Sequence, residues 1–166
     1  MRSLLLIAVL AGMASMAGPS AAAPDPDLLV LDDFEGEMRW EGVTPSLKVV
    51  HGGKRAGRWH DLKTTPRIAM KSVPKDWSRY DRICFWLHSR KANKQTLTLL
   101  LQSDNPKDEE GWDYYYHHFE VDWEGWRFFS LRFGHEIQVS RSPRGWDQID
   151  GMSLSASGWG HSPLPD

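Results

Sequence analysis

The chain has 166 residues, a formal net charge of −2 and a single cysteine, with neither a basic block nor an acidic tail. That length and charge fit one domain with one sizeable core, and they argue against nucleic acid as a partner. One cysteine excludes an intrachain disulfide, so stability rests on packing or on a metal ion.

Residues 1–23 read as an export leader. Arg2 supplies the positive start, residues 4–13 the apolar run, and Ser20-Ala-Ala-Ala23 the small residues of a cleavage site. The run is too short to span a bilayer comfortably, and Gly12, Gly18 and Pro19 interrupt it. Cleavage after Ala22 or Ala23 leaves residues 24–166 as a secreted or periplasmic domain with no membrane partner.

Beyond the leader, apolar residues recur with the period of strands. Strands are predicted over residues 28–34, 47–50, 57–62, 67–73, 81–89, 95–103, 114–123, 126–133 and 148–157. Turn signals at Gly52-Gly53, Thr65-Pro66, Pro74, Asn105-Pro106, Gly125, Pro143 and Gly145 divide them. Only residues 76–80 suggest a helical turn, with Asp76 as its cap and Trp77 and Tyr80 plugging an edge. The expected fold is therefore all-β, an antiparallel two-sheet β-sandwich of jelly-roll type. Its core should contain Phe34, Ile83, Phe85, Leu87, Leu97, Leu99, Leu101, Phe119, Val121, Phe129, Leu131 and Ile149. Cys84, within Ile-Cys-Phe-Trp-Leu, reads as a small buried hydrophobe.

The stretch from Trp112 to Trp123 has two different faces, because side chains alternate along a strand. Tyr115, His117, Phe119, Val121 and Trp123 grow steadily more apolar, as a core-facing row should. Trp112, Tyr114, Tyr116, His118, Glu120 and Asp122 set flat rings beside polar groups, which suits a ligand with apolar C–H faces and many hydroxyls. Trp123-Glu124-Gly125-Trp126 reads as a tight hairpin that fixes this strand against the next. If the strands share one sheet, its outer face gathers Trp86, His88, Gln102, Tyr114, Tyr116 and His118, joined by Ser153, Ser155 and Ser157. Nine tryptophans in the chain exceed what a core of this size needs.

Several motifs resemble galactose-binding-like β-sandwich modules of secreted carbohydrate-active enzymes. They are Asp32-Asp-Phe-Glu-Gly36, Gly57-Arg-Trp-His-Asp61, Asp76-Trp-Ser-Arg-Tyr-Asp-Arg-Ile-Cys-Phe-Trp-Leu87 and Gly145-Trp-Asp-Gln-Ile-Asp-Gly-Met-Ser-Leu154. Such modules often precede glycoside hydrolase or polysaccharide lyase domains. The family pattern continues into a further strand with an acidic pair, so the chain reads as a fragment, the product of a truncated gene, or a stand-alone module with a less complete sheet. The resemblance also implies a structural Ca²⁺ held by Asp33 or Glu35 and by turn carbonyls from Lys54 to Gly57.

The function expected is a non-catalytic module binding a polysaccharide or oligosaccharide through the aromatic face, with a catalytic domain as a further partner. A structural or interaction sandwich accompanying a catalytic domain is the first alternative. A jelly-roll polysaccharide lyase is the second, with Tyr116 and His118 moving protons near Gln102 and Arg82 or Arg90. Glycosidase chemistry needs two carboxyl groups across a cleft, and Glu120 and Asp122 have no evident partner.

Overall fold

The computed structural model describes residues 4–8, 28–70, 72–107 and 111–164. Among them the strands are β1 Leu4–Ala8, β2 Val43–Ser46, β3 Ala56–His60, β4 Arg67–Met70, β5 Arg82–Ser89, β6 Thr96–Gln102, β7 Tyr114–Glu120, β8 Gly125–Arg132, β9 Gln138–Ser140 and β10 Gly151–Ser155. They form two five-stranded sheets of order β2-β3-β1-β5-β8 and β4-β10-β6-β7-β9. Every pairing is antiparallel, and no helix occurs among the described residues.

Period-two patterning explains how the sheets share one core. In β5, Ile83, Phe85 and Leu87 are buried, as are Leu97, Leu99 and Leu101 of β6 and Phe119 of β7. Phe85 meets Phe129 in a stack at 5.1 Å within one sheet and Phe119 of the other at 6.4 Å. All twelve residues expected in the core are buried, and so is Cys84.

Four expectations are corrected. Residues 28–34 do not form a strand, although Leu31 and Phe34 are buried. The Asp32 carboxylate captures the Phe34 amide at 2.8 Å, and Phe34 sits at φ 63°, so the extended backbone is broken by an Asp-centred turn. Residues 47–50 are likewise not a strand. The chain pairs four residues earlier, at β2, whose edge position tolerates Pro45, and Ser46 Oγ then accepts the Val49 amide as the chain turns.

Third, Trp123-Glu124-Gly125-Trp126 is no hairpin. β7 pairs with β6 and β9, whereas β8 pairs with β5, so this segment carries the chain from one sheet to the other. Gly125 has φ 81°, which glycine adopts without steric cost. Trp123 turns against Phe129 at 5.3 Å, with the Arg127 guanidinium over both rings and paired to Asp122. At residues 76–80 the chain makes a turn rather than a helix. Asp76 accepts the Ser78 amide, and Trp77 is buried with its indole N–H donating to Pro74 O.

β1 lies within the stretch read as a leader, and it is a central strand between β3 and β5. Residues 20–23 fall outside the described residues.

Candidate functional site

The outer face of the second sheet is assembled from alternating positions. β10 contributes Gly151, Ser153 and Ser155, since Met152 and Leu154 point into the core. β4 adds Arg67 and Ala69, and the registers place Gln102 opposite Tyr114, Leu100 opposite Tyr116 and Thr98 opposite His118. The small residues Ala69, Gly151 and Ser153 leave the middle of this face low, and larger groups rise around them. The result is a cleft of about 570 Å³ whose lining includes Arg67, Gln102, Trp112, Tyr114 and Asp150.

Trp112 stands at this cleft with 59% of its surface exposed. The segment that leads from it into β7 is positioned by Asp113, which is fully buried and accepts the Asn105 and Ser142 amides at 2.9 and 2.7 Å. Tyr114 is half-buried, and burial pushes its hydroxyl above the ordinary phenol value, so it stays a hydrogen-bond donor at neutral pH. Asp150 is held by Arg144 at 2.8 Å and by the Asp104 amide at 2.9 Å.

Beyond Tyr114 the C-terminal segment folds over the same face. Gly158, Trp159 and Gly160 all have positive φ, so three left-handed residues in succession present the indole. Trp159 lies 4.9 Å from the Tyr116 ring and 5.7 Å from that of Tyr114, yet keeps 37% of its surface exposed. Buried Gln95 anchors this segment, donating to the Ala156 and Ser162 carbonyls and accepting the Leu164 amide at 2.7 Å. His118 Nδ1 bonds Thr98 Oγ1 at 2.8 Å, and its pKa is lowered by burial first and then by His161 and His117.

The six residues expected on one face divide between two. Gln102, Tyr114, Tyr116 and His118 share the outer face of the second sheet. Trp86 and His88 belong to β5 in the first sheet and face the opposite side of the molecule. There His51 stacks on Trp86 at 3.8 Å and Phe128 tilts against it at 5.1 Å, while Trp126 meets His88 at 5.2 Å. Ser153 and Ser155 do lie on the second sheet's outer face, both buried. Arg82 also belongs to β5 and pairs with Asp81, so it is on the other sheet from Tyr116 and His118. Glu120 and Asp122 are committed to Lys94 and Arg127.

Trp112, which the alternation sets on the ligand-suited row but outside the six residues gathered on one face, lines the cleft with Arg67. Neither Arg67 nor Trp159 is among the residues expected on this face; the glycines flanking Trp159 are the sequence signal for a ring held out by a turn.

Both carboxylates expected to hold Ca²⁺ accept backbone amides of nearby turns. Asp33 accepts the Glu35 amide at 3.0 Å. Glu35 Oε1 accepts the amides of Lys54 and Arg55 at 2.6 and 3.0 Å. Gly57 is required by packing, since a Cβ there would collide with the Phe34 ring and Val43. Among the described residues no group of three or more His, Cys, Asp or Glu converges to hold a metal ion.

No family model, no curated protein and no solved structure matches this chain.

Proposed function

We propose that this chain is an exported carbohydrate-binding module of galactose-binding-like, jelly-roll type, and that it holds a segment of polysaccharide or oligosaccharide in the cleft on the second sheet. The observation that carries this reading is Trp112, an exposed indole at a cleft whose floor is small residues and whose walls offer Arg67, Gln102 and Tyr114. A sugar's C–H face stacks on such a ring, water leaves both surfaces, and a ring with two rotatable angles loses little entropy. Polar walls then select stereochemistry, because a polar group left unpaired at a dry contact costs about 1–3 kcal/mol. A downstream or associated catalytic domain is the natural companion of such a module.

Few contacts on an open face give micromolar to millimolar affinity, about −4 to −8 kcal/mol. Affinity electrophoresis over a panel of polysaccharides tests the reading. At least one polysaccharide should retard the wild type, and Trp112→Ala should weaken retention about tenfold, about 1.4 kcal/mol. Trp86→Ala, on the opposite face, should retain binding. A wild type retarded by none favours a structural or interaction sandwich, for which the packing of Trp159 over Tyr116 is already sufficient use of those rings.

A further inference from the structure

The groups left to meet a ligand in the cleft are donors. Arg67 opens β4 at the edge of the second sheet, exposed and in register with Ser155, whose hydroxyl donates to the Ser157 carbonyl at 2.7 Å. Among the described residues nothing accepts a hydrogen bond from the Arg67 guanidinium. The same holds for the Tyr114 hydroxyl, the Gln102 amide and the Trp112 indole N–H, which line the same cleft.

The other charges around the cleft are committed. Asp150 takes Arg144 through both oxygens at 3.0 and 2.8 Å and the Asp104 amide at 2.9 Å, with the Lys75 ammonium 4.0 Å away. Arg141 donates to the Trp112 carbonyl at 3.2 Å, and Glu41 has a partner of its own. Arg67 and Tyr114 rise from β4 and β7, on opposite sides of the floor that β10 and β6 form, so a ligand lying on that floor passes between them. The Arg67 charge reaches across it. Burial raises the Tyr114 phenol, and Arg67 opposes that rise ahead of the smaller effects of Asp104 and Arg141.

A sugar hydroxyl both donates and accepts, whereas an ionised carboxylate only accepts and offers about four lone-pair sites. The guanidinium fork matches a carboxylate with two parallel bonds, and such charge-assisted bonds are about twice as strong as neutral ones. We propose, resting on the carbohydrate reading of this cleft, that its ligand is a uronic-acid-bearing polysaccharide whose carboxylate pairs with Arg67. Tyr114 and Gln102 donate to the remaining oxygens of the same sugar while Trp112 stacks on its C–H face.

The test is affinity electrophoresis against polygalacturonate, alginate and a glucuronate-bearing xylan. Each is run beside its carboxyl-reduced form, a neutral and a sulfated polysaccharide. At least one uronate polymer should retard the wild type, and its carboxyl-reduced form about tenfold less, as loss of a hydrogen bond to a charged group implies. Arg67→Gln should lose about the same factor on the uronate polymer and nothing on the reduced one. Its thermal midpoint should match wild type, since the side chain is exposed. Arg55→Gln, which removes the same charge beside the first sheet, should bind as wild type does. Equal retention on both forms of every polymer, retention by neutral or sulfated polymers alone, or an equal loss in Arg55→Gln overturns the carboxylate pairing and leaves the module reading standing. A wild type retarded by no polymer of either kind overturns both.

Discussion

Asp32 and Glu35 are three residues apart and serve the backbone in opposite settings. Glu35 is exposed and pins the turn at Lys54 and Arg55. Asp32 is buried, with Oδ1 on the Phe34 amide and Oδ2 without a partner. Burial raises its pKa above the ordinary 3.8, and the Phe34 amide and Arg39 offset this only in part. A carboxyl whose pKa is raised by folding stabilises the fold fully below the unfolded value and loses that contribution as pH climbs through the raised one. Asp32→Asn keeps an acceptor for Phe34 and removes the charge. The variant should be more stable than wild type at neutral pH, and the difference should vanish as pH falls below about 4. Denaturant melts across pH 3–7 measure this directly, and a variant less stable at neutral pH, with a deficit that fades as pH falls, would show that the ionised carboxylate has a partner in solution.

At the scale of elements, alternation identified β5, β6, β7 and β8 and their buried rows because each strand has one wet and one dry face. It could not say which strands are neighbours. β7 and β8 follow each other across a glycine turn, and a hairpin was the natural reading, yet the chain changes sheets there. That single difference moves Trp86 and His88 to the far side of the molecule and splits the expected site. β9 was invisible, being three residues, two of them polar, on an edge. The stretch around Asp32 looked like a strand because its apolar residues are buried, but a side-chain-to-backbone bond fixed the backbone instead. The C-terminal segment gave least warning, since its position depends on Gln95 more than sixty residues earlier. Gln95→Ala should therefore lower stability by about 1–3 kcal/mol, the cost of leaving buried backbone groups unpaired. Limited proteolysis should then cut after residue 156 faster than in wild type. An unchanged cleavage pattern would show that Trp159, and not Gln95, anchors the segment.

Across the whole molecule, the nine tryptophans sort by position. Trp40, Trp59 and Trp77 are buried, and Trp86, Trp123, Trp126 and Trp146 are half-buried and packed. Trp146 joins Tyr115 and Phe133 in a continuous stack with centroid spacings of 3.9 Å. Only Trp112 and Trp159 are exposed, and both belong to the second sheet's outer side. A two-sheet fold with one shared core thus leaves its two exposed indoles on a single face, beside the cleft, while the exposed Phe128 ring lies on the other. The most direct measurement is an NMR titration of the indole N–H signals, assigned by substitution, with an oligosaccharide from whichever polysaccharide retards the protein. The account predicts that the Trp112 and Trp159 signals shift with one saturating curve while those of Trp59, Trp77 and Trp86 stay in place. Shifts confined to Trp86 and Trp126 would place binding on the first sheet and contradict it.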